Sequence, residues 1–173
     1  LEMSDFAREL CLDPDIEFNS VVYKSEMSHV SRNRAIAYLL ESKGIIDTNV
    51  EASLELYTKM CSLDVTAESL ANLGLVLALG GKDPNTGCQI ISQKVAQIVK
   101  TIMLTCGMYD GSGEFAVHVG IPTKSGVGGG LLSVVDKEMG IGVYGPSLDE
   151  KGNCIAGRPM LEYLSNQLNL HIF

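Results

Sequence analysis

The stretch that decides the fold class runs from residue 121 to residue 145 and reads IPTKSGVGGGLLSVVDKEMGIGVYG. Its two apolar segments, residues 129–136 and 139–145, are short, rich in β-branched and small residues, and separated by a polar turn. Together with EFAVHVG at residues 114–120, they predict an antiparallel meander of three strands. A polar loop at residues 146–159 is expected to follow the meander.

Apolar residues at helical spacing precede this stretch and also follow it. The segments with that spacing are residues 31–44, 49–61, 66–81, 92–105 and 160–170. We expect Thr66 and Ser92 to cap the third and fourth of these helices. Helices followed by adjacent strands indicate the α+β class rather than alternating βαβ units. Because no repeat or charged linker interrupts the sequence, residues 1–173 are predicted to form a single domain.

The first two helical segments each have an apolar stripe that is expected to face the core. The stripe contains Ala35, Ile36, Leu39 and Leu40 in the first segment, and Val50, Leu54, Tyr57 and Cys61 in the second. On this pattern alone, Tyr57 is expected to pack in the core.

The composition is that of a globular protein, since 46% of the residues are hydrophobic and 20% are charged. Thirteen basic and 21 acidic residues give a net charge of −8, which argues against nucleic acid and anionic membranes as partners. The longest apolar run, residues 70–81, is too short to cross a bilayer and is expected to form a buried helix.

The cysteines and histidines do not form a metal or disulfide pattern. The five cysteines are Cys11, Cys61, Cys88, Cys106 and Cys154, an odd number without a C-x-x-C pair. We therefore expect buried, reduced thiols in a cytoplasmic protein.

The three histidines are far apart in the sequence, and His118 is expected to be a satisfied core or cleft histidine. The GIGVYG segment at residues 140–145 has the letters of a dinucleotide fingerprint, but no helix is expected to follow it.

Lys124, Ser125 and Gly126 form the short motif that suggests chemistry. A lysine supplies positive potential, a hydroxyl can bind a substrate carboxylate, and a glycine lets the main chain approach a ligand closely. A main-chain N–H just beyond the motif could then stabilise an oxyanion. A K-[ST]-G tripeptide lines the active site of penicillin-recognising serine enzymes, although a lysine at a strand edge before a turn gives the same letters.

Longer segments resemble the serine-dependent glutaminases, whose catalytic domain has the β-lactamase fold. They are residues 25–38, 56–81, 106–130 and 144–158, and the third reads CGMYDGSGEFAVHVGIPTKSGVGGG. The resemblance covers nearly the whole chain, but only the later part of the family's catalytic domain. It implies a β-lactamase/transpeptidase-like fold and an amidohydrolase that converts L-glutamine and water to L-glutamate and ammonia. It also implies a homo-oligomer in full-length form, and no metal or organic cofactor.

The resemblance assigns three residues to the amino-acid end of the substrate. Glu26 would bind the α-ammonium group, Asn33 would bind the α-carboxylate, and Tyr57 would lie against the substrate. A carboxylate and a neutral amide are chemically suited to the two charges of a zwitterion. From the residues alone, plainer interpretations stay open: an exposed charge for Glu26, a helix cap for Asn33 and core packing for Tyr57.

The resemblance assigns three further residues to the reacting end. Tyr109 would contact the substrate and assist proton transfer, the Val127 N–H would bind the oxyanion, and Lys124 would have an electrostatic role. A tyrosine loses its proton near neutral pH only when nearby cations favour the phenolate form. The plainer interpretation of Tyr109 is an aromatic residue in a loop.

The sequence lacks the nucleophile motif of the family. None of its serines is followed by a lysine three residues later, and Ser92 with Lys94 has the wrong spacing for one helical face. Since covalent catalysis needs that nucleophile, we expect the isolated chain to be inactive. The first four residues, LEMS, favour a piece of a complete enzyme over a naturally inactive module.

Two other functions stay open on the sequence. Ser31-Arg32-Asn33 is similar to the S-D-N element of penicillin-recognising serine hydrolases, which also have a K-[ST]-G motif. A non-catalytic binding or assembly module could also use the same fold.

Overall fold

Helices precede a short antiparallel sheet in the computed structural model, which describes residues 3–173. The α+β prediction is thereby confirmed. The described residues fall into two units, one made of residues 3–7 and 15–64 and the other of residues 8–14 and 65–173. Residues 1 and 2, which begin the LEMS segment, lie outside the described residues.

The first helix, α1 (Met3–Cys11), runs from the first unit into the second. The other elements of the first unit are β1 (Glu17–Phe18), α2 (Ser20–Ser28), α3 (Ser31–Ser42), α4 (Val50–Met60) and β2 (Leu63–Asp64). Strands β1 and β2 pair antiparallel. Asn19 begins α2 by accepting hydrogen bonds from two main-chain N–H groups at 3.0 Å, and Asn49 begins α4 in the same way at 2.9 Å.

The buried face of α3 differs from the predicted stripe. Its buried residue is Ala37, whereas Ile36 and Leu39 are 47% and 55% exposed. The helix packs against α4, and a small residue at the point of contact lets the two helices approach each other. The spacing of apolar residues predicted the helix correctly, but it did not identify which residue would lie at the contact.

The buried face of α4 is centred on Leu54 rather than on Tyr57. Val50 and Leu54 are buried as predicted, and Thr58 takes the next position on that face. Thr58 can be buried because its hydroxyl donates to the Leu54 carbonyl oxygen at 2.8 Å. Tyr57 is 53% exposed and Cys61 is also exposed, so the prediction that Tyr57 packs in the core is wrong.

The second unit contains the sheet and most of the chain. Its elements are α5 (Ala67–Ala78), α6 (Gln93–Cys106), a 3-10 turn (Tyr109–Gly111), α7 (Ser112–His118), β3 (Thr123–Ser125), β4 (Gly130–Val135), β5 (Met139–Tyr144) and α8 (Gly157–Leu168). The strands are antiparallel in the order β3-β4-β5. In the register of the sheet, Lys124 lies opposite Leu132, and Leu132 lies opposite Gly142.

Both predicted helix caps of this unit are confirmed. The Thr66 hydroxyl oxygen accepts the Ser69 N–H at 3.0 Å, and the Ser69 oxygen accepts the Thr66 N–H at 2.9 Å, which forms a capping box. The Ser92 oxygen accepts the Val95 N–H at 3.2 Å at the start of α6.

Residues 114–120 form most of α7 instead of the first strand of the meander. Phe115 and Val119 are both buried. Residues four apart lie on the same face of a helix and also on the same face of a strand, so their spacing is compatible with both. The first strand of the sheet is instead β3, which contains Lys124. His118 ends α7 and is exposed, so the prediction of a core or cleft histidine is wrong.

Helix α5 lies directly on one face of the sheet because glycines lie on both sides of the contact. A Cβ on Gly142 would lie 1.8 Å from the Ala67 carbonyl oxygen, and a Cβ on Gly74 would lie 2.8 Å from the Gly140 Cα. The core has two parts, one where β4 and β5 meet α7 and α8, and one where β4 meets α5 and α6. This packing fixes the strands that position the residues described below.

An ion pair joins α7 to α8 at the surface of the second unit. The Arg158 guanidinium donates to a Glu114 carboxylate oxygen at 2.7 Å. This hydrogen bond, reinforced by the attraction of the two charges, lowers the pKa of Glu114.

The five cysteines are free thiols, as predicted, but only two of them are buried. Cys11 and Cys154 are buried, whereas Cys61, Cys88 and Cys106 are exposed. Burial, reinforced by a nearby aspartate, raises the pKa of the Cys11 thiol to about 11.

None of the helices described between residues 3 and 173 has the length and apolar character needed to span a membrane.

Candidate active site

Tyr109 lies in the short connection between α6 and α7 and has a left-handed main-chain conformation, with φ at 52°. Such a conformation is uncommon for a residue other than glycine and is held by surrounding contacts. The Ser112 hydroxyl oxygen accepts the Met108 N–H at 3.0 Å, and the hydroxyl donates to the Tyr109 carbonyl oxygen at 2.8 Å. The tyrosine is therefore fixed by its main chain, while its side chain is exposed.

Lys124 lies beside Tyr109 on the short strand β3. Its ammonium nitrogen is 4.7 Å from the centroid of the Tyr109 ring, and it donates to the Ser125 carbonyl oxygen. A cation at this distance is attracted to the face of the ring. The predicted electrostatic partner of Tyr109 is thus in contact with it.

The strand that contains Lys124 is tied to the end of α6. The Ser125 N–H donates to the Gly107 carbonyl oxygen at 2.9 Å, and a Cβ on Gly107 would lie 1.8 Å from the Thr123 carbonyl oxygen. Only glycine allows this approach, which brings the Tyr109 connection next to β3. The Ser125 hydroxyl is fully buried and has no hydrogen-bond partner among residues 3–173. A hydroxyl that binds a substrate carboxylate has to be exposed to the substrate, so this burial is in contrast to such a role.

Val127 lies in the turn between β3 and β4. The Gly129 N–H donates to the Gly126 carbonyl oxygen at 2.9 Å, which closes a four-residue turn with Val127 at its second position. The Val127 side chain is 64% exposed. Its main-chain N–H meets no acceptor within the described part of the chain, so it is available to a ligand oxygen.

Gly152 lies between Val127 and Tyr109. A Cβ at Gly152 would lie 3.6 Å from a Val127 methyl carbon and 3.7 Å from a carbon of the Tyr109 ring. Tyr109, Lys124 and Val127 are therefore brought together on one surface of the second unit, as a shared reacting end requires.

The residues predicted for the amino-acid end of the substrate belong to the first unit. Asn33 and Tyr57 line one cavity of about 300 Å³ formed by α3 and α4. Its other lining residues are Ile36, Ala37, Leu40, Ile46, Ser53 and Leu54. Glu26 is exposed on α2 and does not line this cavity. Asn33 is the third residue of α3, and that helix has no side-chain cap, so the plainer interpretation of Asn33 as a cap is wrong.

A hydrogen-bonded ion pair joins α3 to α4 next to Asn33. Arg34 donates to the two carboxylate oxygens of Glu51 at 2.9 and 3.1 Å. The hydrogen bond and the charge of Arg34 lower the pKa of Glu51. The pair links the two helices that present Asn33 and Tyr57.

Three residues around Tyr109 are not identified by the sequence analysis: Ser112, Gly152 and Asn153. Asn153 is 5% exposed, and its side-chain amide donates to the Met108 carbonyl oxygen at 3.2 Å. The segment DEKGN at residues 149–153 contains the residue types typical of a tight turn. That signal marks a structured loop, but it does not show that the loop returns to Tyr109.

Comparison with known proteins gives one family. The family model described as Glutaminase matches residues 1–173. Glutaminase 2 of Clostridium perfringens is 52% identical over 169 residues, which are 98% of this chain and 55% of that protein. The glutaminase of Clostridioides difficile is 54% identical over 171 residues, which are 99% of this chain and 55% of that protein. The chain thus spans about half the length of the curated relatives it matches.

A solved structure with the same fold contains a covalent ligand. It is a Bacillus subtilis glutaminase in covalent complex with 5-oxo-L-norleucine, formed by reaction with 6-diazo-5-oxo-L-norleucine. The two chains are 38% identical with a TM-score of 0.91, over 98% of this chain and 60% of that one.

Proposed function

The chain belongs to the glutaminase family, and from this premise we propose that it forms the C-terminal portion of a glutaminase catalytic domain with a β-lactamase-like fold. The full-length protein that contains it would convert L-glutamine and water to L-glutamate and ammonia. The nucleophilic serine and its lysine would come from a part of the catalytic domain that this chain does not contain. We further propose a cytoplasmic homo-oligomer.

The observation that carries this proposal is the grouping of Tyr109, Lys124 and the Val127 N–H on one surface. Amide hydrolysis through an acyl-enzyme needs a group that moves a proton and a donor that stabilises the oxyanion. The Tyr109 phenol, next to the Lys124 ammonium group, can move the proton. The Val127 N–H, which has no acceptor among residues 3–173, can stabilise the oxyanion. Their closeness supports a common reaction centre.

The proposed reaction proceeds in two balanced steps. The serine oxygen attacks the side-chain amide carbon of glutamine while Tyr109 relays the serine proton to the amide nitrogen, and the C–N bond breaks to release ammonia. Water then attacks the resulting ester, and Tyr109 relays its proton back to the serine oxygen as glutamate leaves. In both steps the Val127 N–H donates to the oxygen that develops negative charge, and Lys124 favours the phenolate form of Tyr109.

Recognition of the amino-acid end is proposed for Glu26, Asn33 and Tyr57. Asn33 and Tyr57 share a cavity, and Glu26 is an exposed carboxylate that can bind an ammonium group. The reagent that reacts with the Bacillus subtilis relative has the α-ammonium and α-carboxylate groups of an amino acid and a ketone where glutamine has its amide. Its reaction there supports L-glutamine as the substrate here.

The reacting end can be tested by Tyr109→Phe in the full-length protein, with Tyr163→Phe on the exposed surface of α8 as the matched control. Glutamate release is measured at saturating glutamine. We expect kcat to fall at least about a hundredfold for Tyr109→Phe, in line with the loss of a general acid–base group, and to be unchanged for Tyr163→Phe. Equal turnover of the two variants would remove Tyr109 from the reaction.

The amino-acid end can be tested by Glu26→Gln, with the exposed Glu41→Gln as control. We expect KM for glutamine to rise at least tenfold with Glu26→Gln and to stay the same with Glu41→Gln. An unchanged KM in the first variant would contradict the ammonium-binding role.

Covalent labelling of the protein by a fluorescent penicillin would instead favour a penicillin-recognising hydrolase.

A further inference from the structure

The left-handed conformation of Tyr109 needs partners that keep it in place. Its φ of 52° directs the chain out of α6 and back into α7 within a few residues. A tyrosine has no intrinsic preference for this region, so the conformation persists only where surrounding contacts determine it. Two side chains, Ser112 and Asn153, make hydrogen bonds to the main chain of Met108 and Tyr109.

Ser112 holds the connection from its C-terminal side. Its hydroxyl oxygen accepts a hydrogen bond from the Met108 N–H at 3.0 Å, and the hydroxyl donates a hydrogen bond to the Tyr109 carbonyl oxygen at 2.8 Å. The hydroxyl is therefore both acceptor and donor within one turn, and the side chain is buried. Removal of the hydroxyl leaves a main-chain N–H and a carbonyl group without these partners.

Asn153 holds the same connection from a different part of the chain. Its side-chain amide donates to the Met108 carbonyl oxygen at 3.2 Å. Its own N–H donates to the Asp149 carboxylate at 2.9 Å, and its carbonyl oxygen accepts the Asp149 N–H at 2.9 Å. The loop that contains Asn153 is thus closed by hydrogen bonds between Asp149 and Asn153.

The same loop also reaches the reacting surface. Gly152, next to Asn153, has a φ of 89° and lies against the Tyr109 ring and the Val127 side chain. A residue with a Cβ rarely adopts this conformation, so glycine suits the position. One loop therefore contacts the main chain before Tyr109, the ring of Tyr109 and the side chain next to the oxyanion donor.

We propose that Asn153 and Ser112 are positioning residues for Tyr109, which they hold in its left-handed turn so that its phenol stays aligned for proton transfer. This inference rests on the proposed function. Neither residue is expected to touch the substrate. Their loss should therefore lower kcat and leave KM for glutamine nearly unchanged, because the amino-acid end of the substrate is bound elsewhere.

The test uses the full-length protein with Asn153→Ala, Ser112→Ala and Ser112→Thr, together with Tyr109→Phe. Asn166→Ala on the exposed surface of α8 is the matched control for the asparagine change. Rates are expressed per folded protein, with the folded fraction taken from circular dichroism, so that a loss of folded protein does not count as a loss of rate. Thermal unfolding is recorded for each variant.

We expect kcat per folded protein to fall at least tenfold for Asn153→Ala and Ser112→Ala, with KM within twofold of the unmodified protein. Ser112→Thr, which keeps the hydroxyl, should restore most of the rate, and Asn166→Ala should have no effect. A merely structural role would lower the unfolding temperature without this pattern. If Asn153→Ala does not fold, the serine series alone decides between the two outcomes.

Two results would overturn the inference: kcat per folded protein within twofold for Ser112→Ala, or an equal loss of rate with Ser112→Ala and Ser112→Thr. A normal rate for Tyr109→Phe has a different meaning, since it would contradict the proposed role of Tyr109 itself. A collapse of the rate with Tyr109→Phe, together with normal rates for both positioning variants, would contradict only the inference made here.

Discussion

Replacement of Val127 by proline removes the proposed oxyanion donor while keeping the turn that contains it. Val127 is the second residue of a turn closed by the Gly129 N–H and the Gly126 carbonyl oxygen at 2.9 Å. Neither Val127 nor Gly128 has a positive φ, which excludes turn types II, I′ and II′ and is compatible with type I. Proline is favoured at the second position of such turns, and the preceding residue is a glycine, which tolerates the restriction that proline imposes.

The expected cost to folding is small. The Val127 side chain is 64% exposed and its N–H has no acceptor within residues 3–173, so proline removes little packing and no internal hydrogen bond. A proline that fits the existing main chain changes stability by no more than about 1 kcal/mol. The thermal unfolding temperature should therefore stay close to that of the unmodified protein.

The expected cost to catalysis is large. Removal of one oxyanion donor lowers kcat by about 10²–10³, equivalent to about 2.7–4 kcal/mol of transition-state stabilisation. Val127→Ala is the matched control, because it removes more of the side chain than proline does but keeps the N–H. In the full-length protein, we expect Val127→Pro to lose at least a hundredfold in kcat and Val127→Ala to lose less than threefold.

The assay is glutamate release at saturating glutamine, with circular dichroism and thermal unfolding to show that both variants are folded. A folded Val127→Pro protein with kcat within threefold of the unmodified enzyme would refute the assignment of the N–H. A similar loss with Val127→Ala would show that the methyl groups of Val127, rather than its N–H, are needed.

Three further predictions concern stability and reactivity. The pKa of Glu114 is lowered in the folded state, so its ion pair contributes stability above the ordinary carboxyl pKa, and this contribution is lost as the pH falls through the lowered value. Glu114→Gln should therefore lower the unfolding temperature most at pH 7, and the difference from the unmodified protein should shrink as the pH falls below the ordinary carboxyl pKa. Cys11, with a pKa of about 11 and a buried thiol, should react with iodoacetamide at pH 8 at least tenfold more slowly than Cys88, as peptide mass spectrometry can measure. Gly142→Ala places a Cβ 1.8 Å from a carbonyl oxygen of α5 and should lower the free energy of unfolding by at least about 2 kcal/mol. Gly113→Ala is the control: the added Cβ would have no atom within 4 Å, so the free energy of unfolding should not fall by this amount.

Local signals account for the parts of the fold that the sequence predicted well. The caps Thr66 and Ser92 act within one turn of a helix, so the residue type and its position were enough to predict them. The hairpin of β4 and β5 also followed from two short apolar segments and a polar turn.

Predictions that depended on tertiary contacts were less accurate. The segment from Phe115 to Val119 has a spacing that suits both a helix and a strand, and contacts with α6 and the 3-10 turn accompany the helix that forms. In α4, Val50 and Leu54 are buried as predicted, but Tyr57 is exposed, because the spacing of apolar residues does not specify which of them faces the neighbouring helix. In each case the decisive information was the position of another element.

The candidate site was predicted by resemblance rather than by physical pattern. Lys124 and Val127 belong to a short motif whose letters are also typical of an ordinary strand edge and turn. Tyr109 could not be distinguished from a loop aromatic, because nothing in its neighbours signals a left-handed residue. The contacts that single it out come from Asn153, which is 45 residues from Met108 in the sequence.

Main-chain geometry, more than side-chain packing, positions the residues that we propose for the reacting end. Tyr109 depends on a left-handed turn, Val127 on a four-residue turn, and Lys124 on a strand tied to Gly107 by one hydrogen bond. Each of these segments is short: two are turns, and the third is the three-residue strand β3. Rigid helices and strands supply fixed ends, and the connections between them set the direction of each functional group. For that reason the loop around Asn153, which contacts the Tyr109 connection and lies against Val127, is the structural feature most closely coupled to the proposed chemistry.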